Sequence, residues 1–280
     1  MSADFLQGMA LASVERLNTA RAMVDLVTLE QRVAEQKEPP PLHLSATGFD
    51  LIAEVKKRSP SAGQLATTTV SPAAQAGKYA AAGAAAISVL TEPQRFSGSL
   101  EDLQQVVTGI ESIPIMRKDF LVDPYQVVEA RAAGAGGVLL IAAILEPPLL
   151  RDMLQVAFEL GMFVLVEAFD ETDLLRCIPV MADLLPAINN DGSCRMLLGV
   201  NCRNLRTLEV EFARFMGLTE QLPATIPWVA ESGVDTPDKA GRVASAGYRL
   251  ALVGTALMRS DEPEHAAQAL LYAGRDARQR

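Results

Sequence analysis

Eight short runs of β-branched and aliphatic residues recur between residues 50 and 254, and each is followed by a stretch with helical periodicity. They are DLIAEV (50–55), AAISVL (85–90), IPIMRK (113–118), GGVLLIA (136–142), MFVLVEA (162–168), MLLGVN (196–201), PWVAES (227–232) and RLALVG (249–254). Most are continuously apolar, not alternating, which is how a strand covered on both faces reads, and this implies parallel pairing. The intervening segments include SPAAQAGKYAAAG, DPYQVVEARAAG and TPDKAGRVASAG. Several open with Ser, Thr, Asp or Pro and several close on Gly, the chemistry of helix starts and stops. Eight β/α units in 280 residues fit an α/β fold closed as a (β/α)8 TIM barrel better than an open doubly wound sheet.

Ahead of the first run, residues 1–41 predict one or two amphipathic helices closed by KEPPP, where proline cannot continue a helix. The expected organisation is therefore an N-terminal helical extension over 1–45 and a barrel catalytic domain over 46–280. LPAINNDGSCR (185–195) carries turn signals and is expected to be a surface insertion before the sixth strand.

A formal net charge of −9 argues against nucleic acid or an anionic membrane as partner, so an anionic ligand must meet locally placed cations. Cys177, Cys194 and Cys202 show no CxxC spacing, so neither a disulfide framework nor a zinc site is expected. Asp4 stands where a secretory leader carries basic residues, and the longest apolar run, GVLLIAAIL, is too short to span a bilayer. A cytoplasmic location is expected.

In a barrel, the loops after the C-terminal strand ends build the active site. Polar residues cluster at those ends: Glu54 and Lys56 at the first strand, Lys118 and Asp119 at the third, Glu167 at the fifth, Asn201 and Arg203 at the sixth, Glu231 and Ser232 at the seventh. The chain has only six lysines against nineteen arginines, and two of the six fall at strand ends. A lysine whose pKa is tuned by its neighbours protonates a carbonyl oxygen or forms a Schiff base. ESG (231–233) and VGTA (253–256) follow the seventh and eighth strands, the usual phosphate-holding pair in this fold, although glycine there is also a routine turn residue. Arg203 suits either a carboxylate of the ligand or a salt bridge at the rim. His43 and His265 lie outside the strand ends, which points away from a histidine mechanism, and Cys202 has no histidine partner and reads as a small spacer. Trp228 and most methionines read as core.

These motifs resemble the indole-3-glycerol-phosphate synthase family over about residues 50–260: IAEVKKRSPSAG (52–63), ISVLTEPQRFSGS (87–99), PIMRKDFLVDPYQVVEARAAGA (114–135), LVEAFDETDL (165–174), LGVNCRNLRTLEV (198–210), VAESGV (229–234) and LVGTALM (252–258). The resemblance implies a carboxy-lyase of tryptophan biosynthesis that closes 1-(2-carboxyphenylamino)-1-deoxyribulose 5-phosphate to indole-3-glycerol phosphate, losing carbon dioxide and water. It implies Lys118 as general acid on the ketone oxygen, Glu167 as proton acceptor in the later dehydration, and Lys56 and Glu54 supplying charge, proton transfer and orientation. Ser232, Gly233, Gly254 and Thr255 would hold the phosphate with help from Lys56. Ser59, Asn201 and Arg203 would hold the anthranilate carboxylate and sugar hydroxyls, Phe96 and Phe120 would wall the ring, and Glu231 would lie beside the sugar. No metal or organic cofactor is implied. Association with other tryptophan-pathway enzymes is the partner expectation beyond the phosphorylated substrate.

The sequence departs from the family at three places besides the longer 185–195 segment. FLQGMALASVERLNTARA matches the family's opening helix poorly, Ala62 stands where a lysine is common, and Cys202 stands where a second asparagine is common. The loop KKRSPSAGQ (56–64) is expected to close over the substrate, with Pro60 and Gly63 as pivots. Two other readings stay open from sequence: a Schiff-base aldolase on a sugar phosphate, and a catalytically silent or specialised-pathway relative that binds a related phosphate ester.

Overall fold

Each predicted run is a strand, in two cases to the residue and otherwise trimmed by one or two positions at one end or by one at both. They are β1 (Asp50–Val55), β2 (Ala86–Leu90), β3 (Ile115–Lys118), β4 (Gly137–Ile141), β5 (Phe163–Ala168), β6 (Met196–Asn201), β7 (Trp228–Glu231) and β8 (Leu250–Val253). All pair in parallel with their sequence neighbours, and β8 pairs with β1 to close the barrel. The computed structural model describes residues 5–46, 48–59, 63–64, 71–204 and 209–279.

Strand alternation splits the apolar runs between two cores. Ile52, Ala86, Met116, Leu139, Leu165, Leu197, Val229 and Leu252 fill the barrel interior. Their neighbours Leu51, Ile87, Leu140, Val164, Leu198 and Ala251 pack outward against the helices. This double burial is why the strands read as unbroken apolar segments. The inward parity carries on to the C-terminal strand ends, where Glu54, Lys118, Glu167, Asn201 and Glu231 replace the hydrocarbon. Trp228 is half-buried at the opposite end of β7, its ring 5.9 Å from that of Tyr248.

The N-terminal segment forms α1 (Phe5–Met23) and α2 (Leu26–Glu35), the second capped by Asp25, which accepts from the Thr28 N–H at 2.8 Å. α1 buries Met9, Ser13 and Leu17, spaced four apart on one face. That face crosses the barrel mouth. Met9 joins the interior cluster, Ser13 accepts from Gln126 Nε2 at 2.9 Å, and Leu17 packs with Tyr125 and Val128. Arg16 ties the helix to two strand ends, 2.8 Å from Asp119 Oδ1 after β3 and 3.6 Å from Glu92 Oε1 after β2. Arg16→Met is expected to cost about 1–3 kcal/mol of stability, because it strips a charged donor from the buried Asp119. A shifted urea midpoint at unchanged slope would register it.

Residues 185–195 are not simply a surface insertion. Their tip is exposed, but Ala187 and Cys194 are buried, Cys194 N–H donates to Leu42 O at 2.7 Å, and Ser193 bridges to His43. Leu42 and Cys194 both belong to the interior cluster, so this hairpin and the segment before β1 close the N-terminal end of the barrel. The turn residues were legible. The apolar contact at its base, made with residues 150 positions away, was not. Among the described residues, no helix is long and apolar enough to cross a membrane.

Candidate active site

One cavity of about 540 Å³ opens at the C-terminal strand ends, within the range of small-molecule sites. Every residue that the resemblance assigns to the site lines it: Glu54, Lys56, Lys118 and Glu167; Ser59, Phe96, Phe120, Asn201 and Arg203; Glu231, Ser232, Gly233, Gly254 and Thr255. His43 and His265 are exposed and elsewhere.

At its centre Glu54, 2% exposed, holds two ammonium groups, Lys56 Nζ at 2.5 Å and Lys118 Nζ at 3.1 Å. Burial alone would push the Glu54 carboxyl up, but Lys118 and Lys56 together bring it down to about 2. Burial likewise works against the Lys118 ammonium, yet Glu54, Glu231 and Glu167 outweigh it and raise Lys118 above the ordinary lysine range. Glu167 Oε1 accepts from Asn201 Nδ2 at 3.1 Å, and Asn201 Oδ1 in turn accepts from the Arg203 N–H at 3.0 Å. Gly254 makes room for this cluster. A Cβ there would overlap Glu54 Oε2 and stand 3.0 Å from Lys56 Nζ, so its role includes space as well as any backbone contact to an anion.

One end of the cavity is apolar. Phe96 and Phe120 face each other at 6.3 Å between ring centroids, and Phe5 of α1 meets Phe120 edge-on at 6.3 Å. Glu92 fixes Phe96 by accepting from the N–H groups of Gln94, Arg95 and Phe96. Asp119 fixes Phe120 by accepting from its N–H at 2.8 Å, while also accepting from Thr91 Oγ1 at 2.8 Å. Arg16 thus bridges the two carboxylates that hold the two rings. Ser59 is buried in a short antiparallel pair, Arg58–Ser59 against Gly63–Gln64. Pro60 and Ala62 lie outside the described residues.

The other end is built from the loops after β7 and β8. Ser232 and Gly233 both have positive φ, +64° and +72°, and a non-glycine in that region is a strained conformation typical of ligand clamps. Lys239, paired with Asp235 at 2.7 Å, and Arg259 line the same end. Cys202 points away into the protein, its Sγ donating to Ser232 O at 3.2 Å, and burial pushes the thiol up to about 11. It is a buttress for the loop, as a spacer would be.

Sequence reasoning missed Phe5, Leu139, Ile141, Phe212, Lys239 and Arg259. The inward parity of β4 was enough to find Leu139 and Ile141. Phe5 had no local signal, since only tertiary docking of α1 brings it to the mouth.

The family model described as indole-3-glycerol phosphate synthase matches residues 6–270. A protein of that name from Nocardioides sp. is 44% identical across 95% of this chain and 95% of its own. Another so named, from Parafrankia sp., is 45% identical across 89% of this chain and 88% of its own. Among solved structures, 3-hexulose-6-phosphate synthase from Salmonella typhimurium superposes with a TM-score of 0.59 over 80% of this chain and 97% of its own, at 14% identity, a likeness of fold alone.

Proposed function

The chain belongs to the indole-3-glycerol-phosphate synthase family, decarboxylating lyases of tryptophan biosynthesis, and from that premise we propose how its cavity closes the ring. The substrate, 1-(2-carboxyphenylamino)-1-deoxyribulose 5-phosphate, has an aromatic ring at one end, a phosphate at the other and a ketone between. Its ring lies against Phe96 and Phe120 and its phosphate against Ser232, Gly233, Gly254 and Thr255, with Lys56 near. Ser59, Asn201 and Arg203 take the carboxylate and hydroxyls, and Glu231 lies by the sugar chain.

Lys118 protonates the ketone oxygen as the carboxylate-bearing ring carbon attacks the ketone carbon. Loss of carbon dioxide restores the aromatic ring and leaves a carbinol. In the dehydration that follows, Glu167 accepts a proton from the methylene carbon beside the nitrogen, and the hydroxyl leaves with a proton from Lys56 as water. Glu54 orients both lysines throughout.

The observation that carries this reading is the Lys118 ammonium, standing between the apolar and the phosphate ends of one cavity and held in its protonated form by three carboxyl groups. A protonated amine is a proton donor and a poor nucleophile, which supports acid catalysis over a Schiff base. The test is direct: the purified chain given the authentic substrate should release carbon dioxide and form fluorescent indole-3-glycerol phosphate in equal amounts. No product would overturn the reading.

A further inference from the structure

The loop after β7 ends in an ion pair that the reaction does not explain. Asp235 and Lys239 line the cavity together with Ser232 and Gly233, and Lys239 Nζ donates to Asp235 Oδ1 at 2.7 Å. Lys239 lies in the first turn of the helix Pro237–Ser245, where its N–H donates to the cap residue Thr236. That end of a helix carries partial positive charge and favours anions, so a lysine there works against the helix. Phe212 links the ammonium to the phosphate end. Lys239 Nζ is 5.7 Å from its ring centroid and Arg242 Cζ is 4.7 Å from it. Cδ2 of the same ring lies 3.9 Å from the place a Cβ on Gly233 would take.

A phosphate monoester brings close to two negative charges at neutral pH. Lys56 is placed near it, but its ammonium is 2.5 Å from Glu54, a buried carboxylate that also holds Lys118. Drawing Lys56 wholly to the phosphate would strip that carboxylate and displace a proton donor of the dehydration. Lys239 is bound by a partner of another kind. The Asp235 side chain is 53% exposed, so its carboxylate stays solvated when the ammonium leaves, and an exposed pair of this sort contributes little. The flexible four-carbon stem of a lysine allows the exchange.

We propose that Lys239 binds the substrate phosphate and that Asp235 competes with the phosphate for its ammonium, so that this pair sets how tightly the phosphate end is held. When the ester arrives, the ammonium turns from Asp235 to a phosphate oxygen and Asp235 passes to solvent. No covalent bond is made or broken. This rests on the phosphate seat assigned above to Ser232, Gly233, Gly254 and Thr255. It adds a specificity-determining residue that separates a phosphorylated ligand from its phosphate-free counterpart, and a built-in competitor that holds the affinity down.

The experiment compares the wild-type chain with K239Q and D235N, two variants that break the same ion pair, with circular dichroism melts confirming that each is folded. Steady-state fluorescence reads kcat and KM for the authentic substrate. Titration calorimetry reads the binding of glycerol 3-phosphate, the phosphate probe, and of anthranilate, the ring-end control. K239Q should raise KM about five- to tenfold with kcat within about twofold, the mark of lost uniform binding, and weaken glycerol 3-phosphate by a like factor. D235N leaves the ammonium uncontested and should tighten glycerol 3-phosphate and lower KM about two- to threefold. Anthranilate should bind all three chains alike. A pair that only braced the helix would shift both variants the same way. The proposal is overturned if K239Q weakens the probe less than about threefold, if anthranilate weakens along with it, or if D235N fails to tighten the probe. The calorimetry needs no turnover, so a wild-type chain that made no product would count against the reaction itself and leave this comparison decisive.

Discussion

Lys118→Ala is expected to lower kcat by about 10²–10⁴-fold, the usual contribution of a positioned proton donor, while the barrel stays folded. The side chain ends in the cavity, its Nζ 3.1 Å from Glu54, so its removal opens no hole in either core. Glu54 keeps Lys56 at 2.5 Å and is not left without a cation. An interaction realised in the transition state lowers kcat and kcat/KM together, so KM should change little. Steady-state fluorescence with the authentic substrate reads all three quantities. A kcat within about threefold of the wild-type value would remove Lys118 from the acid role.

Glu54→Gln is the second large effect, on the order of 10²-fold in kcat, with a pH signature that Lys118→Ala lacks. Removing the carboxylate leaves two ammonium groups side by side and takes away the first anion holding the Lys118 proton. Lys118 then loses its proton at lower pH, so the alkaline limb of the kcat profile should move to lower pH. Stability carries the opposite sign. The folded Glu54 value of about 2 lies below its ordinary 4.5, so its contribution is present above 4.5 and disappears as pH falls through 2. Urea midpoints of the wild-type chain should therefore drop across that window more steeply than those of Glu54→Gln. Parallel curves would mean that the ion cluster does not bear on folding.

The strands were legible because each run is buried on both faces, and the charged mouth was legible because polar residues interrupt that apolar parity only at C-terminal ends. Glu54, Lys118, Glu167 and Glu231 all announced themselves this way. Other features depend on atoms that sequence order does not bring together. Gly254 reads as a phosphate-loop glycine, yet the structure adds a steric reason, the Glu54 carboxylate occupying the space of its missing Cβ. Gly199 carries no signal of its own within MLLGVN and gains a meaning only from the Glu231 carboxyl, which likewise fills the place of a Cβ there. Asp119 looked like one more polar strand end, but it anchors Phe120, Thr91 and Arg16. The poor match of the opening helix to the family gave no hint that Phe5 would join the ring end.

That ring end is assembled from α1, from the turn after β2 and from the turn after β3. During synthesis on a ribosome, α1 emerges ahead of the barrel, and a helix draws most of its stability from tertiary packing. Its carboxylate anchors, Glu92 and Asp119, lie 76 and 103 residues beyond Arg16. α1 therefore has all of these partners once residue 128 is made, whereas Asp50 of β1 waits for Leu250 of β8, so the seat for the aromatic half of the substrate has all its parts before the barrel can close.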